Sequence, residues 1–259
     1  MEYRVLARKY RPTTFDDLIG QEVLVRTLSN AIERNRVAHA FLLHGIRGIG
    51  KTTTARIIAK ALNCVGADGT GGATISPCNV CENCTAITED RHIDVMEMDA
   101  ASSTGVDNIR DNIIENIHYA PGQARTKVYI IDEVHMLSKN AFNALLKTLE
   151  EPPEHVKFVF ATTELRKIPI TILSRCQKFD LRRVDVPELS AHLASICEKE
   201  NVTVEGDELK LIANAAEGSV RDALSMLDQA IALGDEVEGK TTVAKGKVAE
   251  MLGMADKSR

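Results

Sequence analysis

Eight consecutive residues, Gly45-Ile46-Arg47-Gly48-Ile49-Gly50-Lys51-Thr52, carry the pattern G-x-x-x-x-G-K-[ST] directly after an apolar run. Glycines so spaced let a backbone wrap a chain of phosphates with its N–H groups inward, and the helix that follows adds its positive amino-terminal end. Gly45, Gly48, Ile49, Gly50 and Thr53 then line the cradle, Lys51 faces the β and γ phosphates, and Thr52 offers a hydroxyl to Mg²⁺. A glycine-rich turn that binds nothing is the plain alternative. The Lys-Thr pair and the strand-loop-helix frame argue against it.

A second group of residues suits the same chemistry. Val128-Tyr129-Ile130-Ile131 ends in Asp132-Glu133, which places two acids at the carboxyl end of a buried strand, where open α/β sheets bind ligands. Asp132 suits the Mg²⁺ shell, and Glu133 the orientation or activation of an attacking water. Thr162-Thr163 ends the next strand, where the Thr163 hydroxyl can sense a γ phosphate. Arg175, in Ser174-Arg175-Cys176, fits a finger reaching a neighbouring subunit, and Arg221 opens a later helix from which it can reach a nucleotide. Taken singly, each of these has an ordinary reading as a solvated turn residue, a capping hydroxyl or a surface ion pair.

Cysteines form the third group. Cys78-x-x-Cys81-x-x-Cys84 with Cys64 upstream offers four thiolates, the donor set of a closed tetrahedral Zn²⁺ site with no open position for catalysis. An iron–sulfur cluster is the rival, although the C-x-x-x-C-P continuation of ferredoxins is missing. Cys176 and Cys197 stand apart and read as small buried hydrophobes.

These residues need a frame. Ala40 to His44, Asp94 to Met98, Val128 to Ile131, Val156 to Ala161 and Lys178 to Leu181 read as strands alternating with amphipathic helices, which implies an α/β fold with a parallel sheet covered on both faces. Helical spacing is plain in Phe142, Leu145, Leu146 and Leu149, stopped by Pro152-Pro153. Beyond Leu181 the pattern changes to three helices, Val186 to Glu200, Asp207 to Glu217 and Ser219 to Leu233. The expected organisation is therefore a nucleotide-binding core over 1–181 with the cysteine module inserted at 64–84, then a small helical domain over 182–242 and a tail over 243–259.

Length and composition agree with one large and one small domain: 259 residues, 44% apolar and 27% charged, typical of a globular protein. The net charge of −5 gives no global signal for DNA, so any such contact uses a local patch. No apolar run approaches the ~20 residues of a membrane span, and Met1-Glu2-Tyr3-Arg4 lacks the apolar core of a secretory signal. The expected compartment is the cytoplasm, where thiols stay reduced and bind metal more readily than they form disulfides.

Taken together, the motifs resemble the γ/τ ATPase family of the bacterial DNA polymerase III clamp loader, a branch of the AAA+ proteins. The resemblance runs from Leu6-Ala7-Arg8-Lys9-Tyr10-Arg11-Pro12 and Phe15-Asp16-Asp17-Leu18-Ile19-Gly20-Gln21 through the phosphate loop, the cysteines, Asp132-Glu133-Val134-His135-Met136-Leu137, Leu145-Leu146-Lys147-Thr148-Leu149-Glu150-Glu151-Pro152-Pro153 and Ser174-Arg175-Cys176 to Gly218-Ser219-Val220-Arg221-Asp222. It implies a five-stranded AAA+ P-loop core, a three-helix lid, nucleotide between them, and a start of the family's collar domain at 243–259, so that the chain is an amino-terminal fragment.

The resemblance also implies ATP or ADP with Mg²⁺ held by Thr52 and Asp132, and Ala7, Arg11 and Val220 near the adenine or ribose. It gives ATPase roles to Lys51, Asp132, Glu133, Thr163, Arg175 and Arg221, with Arg175 completing a neighbour's site, and zinc to the four cysteines. Partners would be the other clamp-loader subunits in a hetero-pentamer, the sliding clamp and primed DNA, with no membrane. The loop Ala67 to Ile75 is longer than the family pattern suggests. A helix near Thr104 to Arg110 is a candidate for phosphate contacts with DNA, set against Asp107 and Asp111 beside it. Another AAA+ remodelling or branch-migration ATPase would share the loop and finger without needing the cysteines. A structural, non-catalytic subunit would not need Lys51, Thr52, Asp132 and Glu133.

Overall fold

The computed structural model describes residues 4–102, 113–237 and 240–253; the helix expected from Thr104 to Arg110 lies outside them. The chain divides into two compact units, Pro12–Gly45 with Lys51–Leu181, and Met1–Arg11 with Ile46–Gly50 and Arg182–Arg259.

The first unit is built on five parallel strands: β1 (Ala40–His44), β2 (Val95–Asp99), β3 (Lys127–Asp132), β4 (Val156–Thr162) and β5 (Gln177–Asp180), in the order β2-β3-β4-β1-β5. The five strands match those expected to within two residues, and the order is that of a P-loop AAA+ core. Central strands β1, β3 and β4 are buried almost throughout because helices cover both faces, which is why their sequences run apolar instead of alternating. Tyr129 stacks on Phe158 and Phe158 on Phe160, each pair with ring centroids 5.6 Å apart. These rings share one buried cluster with Phe142, Leu145 and Leu149 of the helix Lys139–Glu150. Each such fully buried aromatic contributes on the order of 2–3 kcal/mol. Ser138 starts that helix by accepting the Ala141 N–H at 3.2 Å.

The register matters more for the site than the core does. His44 pairs with Thr162 on one side and Asp180 on the other, so the carboxyl ends of β4, β1 and β5 are level. With β4 between β1 and β3, Thr162-Thr163 stands beside both the start of the phosphate loop and Asp132-Glu133.

The second unit contains the three expected helices, here Val186–Glu200, Glu208–Ala215 and Val220–Ala232, and a small sheet that the sequence pattern did not suggest. Its strands, β6 (Val202–Val204), β7 (Asp235–Val237) and β8 (Lys240–Val243), are ordered β6-β8-β7 and are too short to show a readable alternation. The sequence alone reads 1–181 as one core, but Met1–Arg11 and Ile46–Gly50 group with this helical unit. Leu6 is buried there with its N–H 3.4 Å from Asp228, and Tyr10 donates its hydroxyl to Glu200. The start of the tail, expected to open a further region, also packs here: buried Glu208 accepts the N–H groups of Gly246 at 2.8 Å and Val248 at 2.9 Å.

Candidate nucleotide and metal sites

The phosphate loop begins where β1 ends, and Gly45 donates its N–H to Thr162 O at 3.3 Å. Gly48 and Gly50 adopt φ of +78° and +100°, a left-handed backbone that side chains strain. Lys51 is the first residue of the helix Lys51–Asn63, is only 5% exposed, and donates from Nζ to Gly45 O at 3.1 Å. Thr52 donates its hydroxyl to Oδ2 of Asp132, and Oδ1 of Asp132 accepts the Glu133 N–H at 2.8 Å. A hydroxyl and a carboxylate thus meet from positions 80 residues apart, a fitting pair of hard oxygen donors for Mg²⁺, which binds few protein ligands and keeps its waters. Ile49 and Thr53 are buried on either side of Lys51.

Glu133 is held with equal definition. Its backbone is left-handed at φ 45° and ψ 44°, a conformation that costs a non-glycine residue roughly 1–3 kcal/mol and persists only where the surroundings fix it. Its Oε2 accepts the Thr163 N–H at 3.3 Å and the Thr163 hydroxyl at 3.1 Å. His135, part of the Asp132-to-Leu137 motif but with no role assigned by its residue pattern, has Nδ1 3.3 Å from the same oxygen. Its only sequence signal is its place two residues after the acid pair.

The four cysteines Cys64, Cys78, Cys81 and Cys84 form one cluster, their Sγ atoms all within 4.8 Å of one another. Backbone N–H groups point at the sulfurs: Gly66 and Cys78 at Cys64 Sγ (3.4 and 3.3 Å), and Cys81 at Cys78 Sγ (3.3 Å). Such donors favour thiolate over thiol, as a metal site requires. Burial acts against ionisation of Cys78, yet the Val80 and Cys81 amides bring its thiol down to about 7, while burial pushes Cys84 up. The donor set and the spacing fit one tetrahedral ion.

Two further side chains brace this module. Buried Lys60 donates to Thr13 O at 2.6 Å and Asn79 Oδ1 at 2.7 Å, and Arg125 donates to Leu62 O at 3.2 Å and Gly71 O at 3.0 Å. Neither has a signal in the sequence, because these partners lie between 19 and 63 residues away along the chain.

Residues 20–185 match the family model described as DNA polymerase III, delta subunit, and residues 188–236 that of the DNA polymerase III clamp loader subunit ATPase lid domain. The chain is 52% identical over 256 residues to the DNA polymerase III subunit tau/gamma of Haemophilus influenzae, covering 99% of this chain and 36% of that protein. It is 46% identical over 257 residues to the DNA polymerase III subunit gamma of Buchnera aphidicola subsp. Schizaphis graminum, covering 99% of this chain and 68% of that protein. The chain belongs to the DNA polymerase III γ/τ subunit family. It spans little more than a third of the Haemophilus relative and of the Escherichia coli tau subunit, to which it is 52% identical. Among solved structures, the RuvB Holliday junction branch migration motor of Thermotoga maritima shares the fold, with a TM-score of 0.66, 20% identity, and coverage of 95% of this chain and 72% of that one.

Within this γ/τ family chain, the structure brings Lys51, Thr52, Asp132, Glu133 and Thr163 together at the carboxyl ends of β1, β3 and β4. Arg175 stands apart from them, its guanidinium 2.6 Å from Glu150 and 2.6 Å from Thr171 O. In the helical unit, the Arg221 N–H donates to Gly48 O at 3.1 Å, and a Cβ on Gly48 would lie 2.2 Å from Ser219 Oγ. Val220 opens the same helix, Ala7 lies on the short helix Leu6–Lys9, and Arg11 follows it; all three are half-buried. Among the described residues, no helix is long and apolar enough to cross a membrane.

Proposed function

We propose that this chain binds and hydrolyses ATP as the motor part of a DNA polymerase III clamp loader, with ATP binding coupled to opening and loading of a sliding clamp on primed DNA. The observation that carries this reading is the convergence of the Thr52 hydroxyl on Asp132 beside the Glu133–Thr163 pair, at the end of a phosphate-loop strand. Lys51 binds the β and γ phosphates of ATP or ADP, Thr52 and Asp132 hold Mg²⁺, and Glu133 orients the attacking water. Bound Mg²⁺ supplies charge neutralisation at the phosphates. Thr163 senses the γ phosphate through its hydroxyl. Ala7, Arg11 and Val220 lie near the adenine or ribose, Arg221 reaches the nucleotide, and Arg175 acts on the nucleotide of a neighbouring subunit in a hetero-pentamer. Zinc in the four-cysteine cluster is structural, and a cluster of that kind favours the clamp-loader reading over a generic AAA+ motor.

The test separates binding from turnover. Lys51→Ala should weaken ATP binding at least tenfold in calorimetry while the fold survives, and Glu133→Gln should bind ATP normally while turnover in the assembled complex collapses. Unchanged affinity in Lys51→Ala sinks the phosphate-loop assignment. The loading role stands on a separate measurement, stimulation of ATP turnover by clamp and primed DNA in the full-length complex.

A further inference from the structure

We propose that His135 is a positioning residue that sets the orientation of the Glu133 carboxylate, so that one of its oxygens is tethered and the other is turned to water. The proposal rests on the reading of Glu133 as the water-orienting group and adds a residue to it.

Glu133 follows β3 in a left-handed turn, and its side chain is 27% exposed, so part of a carboxylate carried on three rotatable bonds opens to water. Thr163 holds Oε2 with both its N–H and its hydroxyl. Nδ1 of His135 reaches the same Oε2 at 3.3 Å. Among the described residues, no donor reaches Oε1. All the restraint therefore falls on one oxygen, which fixes the plane of the carboxylate and leaves the other oxygen to accept a proton or orient a water.

The ring is itself fixed from both ends. Its side chain is 6% exposed, Nδ1 lies 2.9 Å from the hydroxyl of fully buried Thr162, and Nε2 lies 3.5 Å from Glu164 Oε1. The Thr162 hydroxyl accepts the Glu164 N–H at 3.0 Å, which ties this network to the loop leaving β4. Nδ1 hydrogen-bonds the Thr162 hydroxyl. With the proton on Nδ1, that N–H donates to Thr162 Oγ1 and its positive end faces Glu133 Oε2, a carboxylate oxygen that only accepts. Imidazole suits this place because it is rigid and offers a donor at a defined distance from the backbone turn Val134–Met136.

The experiment is steady-state ATP turnover by the full-length subunit in its assembled complex, with ATP affinity measured in parallel. His135→Ala should lower kcat roughly 10- to 100-fold, the scale of a misplaced catalytic group, with ATP affinity unchanged. His135→Asn carries an amide N–H close to the Nδ1 position and should recover most of the loss; His135→Gln, whose donor lies nearer Nε2, should not. In a Glu133→Gln background, His135→Ala should cost nothing further, because the group it positions is gone. Equal losses in both backgrounds, a loss expressed in affinity, or full kcat in His135→Ala each overturn the proposal. If His135→Ala does not fold, the Asn and Gln variants carry the comparison. Normal turnover in Glu133→Gln alone defeats the underlying reading of Glu133. A dead Glu133→Gln beside a fully active His135→Ala defeats only the role given to His135.

Discussion

Lys51 and Cys64 are joined by a single helix: Lys51 is its first residue, and Cys64 follows its last, Asn63. At 1.5 Å per residue the thirteen residues span about 20 Å, with the phosphate loop at the amino-terminal end and the cysteine cluster at the other. The cluster therefore secures the far end of the element that presents Lys51, and Asn63 adds to this by exchanging hydrogen bonds with the Thr126 backbone at 2.9 and 3.0 Å.

Elemental analysis should find about one zinc per chain, since four thiolates satisfy one tetrahedral ion. Cys81→Ser should release the metal and lower the melting temperature while changing ATP affinity less than threefold, because the cluster is a helix length from the phosphate loop. Iron with visible charge-transfer absorption would establish the rival cluster instead.

Arg175→Ala should leave ATP binding by the isolated chain unchanged and reduce hydrolysis in the assembled complex by on the order of 10³-fold, as loss of an arginine finger does. Removing the exposed Arg175–Glu150 pair costs only about 0–1 kcal/mol of stability, so unfolding will not mimic the effect. Mixed assemblies of Arg175→Ala with Lys51→Ala should regain partial activity, because some interfaces then pair an intact Lys51 with a neighbour's intact Arg175. No recovery in demonstrably mixed assemblies removes the role in trans.

Asp94 sets an acid limit on the fold. Its carboxylate accepts the N–H groups of Gly122, Gln123 and Ala124 at 2.9, 2.7 and 2.8 Å. Burial opposes its ionisation, but those amides hold its carboxyl below the usual value. A depressed carboxylate stabilises the fold above its unfolded value, near 3.8, and that contribution is lost as pH falls further. Asp94→Asn should cost roughly 1–3 kcal/mol at neutral pH and flatten the acid limb, read from urea midpoints across pH 3 to 7. An unchanged limb would refute this.

Gly48 and Gly50 should respond differently to alanine. Both have positive φ, so each substitution carries strain of roughly 1–2 kcal/mol. A Cβ at Gly50 meets nothing within 4 Å, whereas at Gly48 it would fall 2.2 Å from Ser219 Oγ and 3.1 Å from Arg221 Cβ. Thermal unfolding without nucleotide should show Gly48→Ala as the more destabilised of the two. Equal shifts would mean that the Ser219–Arg221 turn yields without cost.

The phosphate loop, the acid pair, the cysteine cluster and the five strands were legible in the sequence because each depends on local chemistry. Glycine spacing, the apolar runs of buried parallel strands and C-x-x-C intervals all act within a few residues. The order β2-β3-β4-β1-β5 was not legible, since it depends on which strands pair across long stretches of chain. That order and its register set Thr163 against Glu133, a neighbourhood expected of adjacent parallel strands, and bring Thr52 onto Asp132. Likewise, His135 and Lys60 look like ordinary helix and turn residues until the fold supplies Thr162, Glu164, Thr13 and Asn79 as their partners. The grouping of Met1–Arg11 with the helical unit depends on Leu6 and Tyr10 finding Asp228 and Glu200, about 190 to 220 residues away. Sequence determined which chemical groups the chain carries and what local structure presents them; tertiary structure decided which of those groups meet, because the contacts that orient them join residues no local pattern connects.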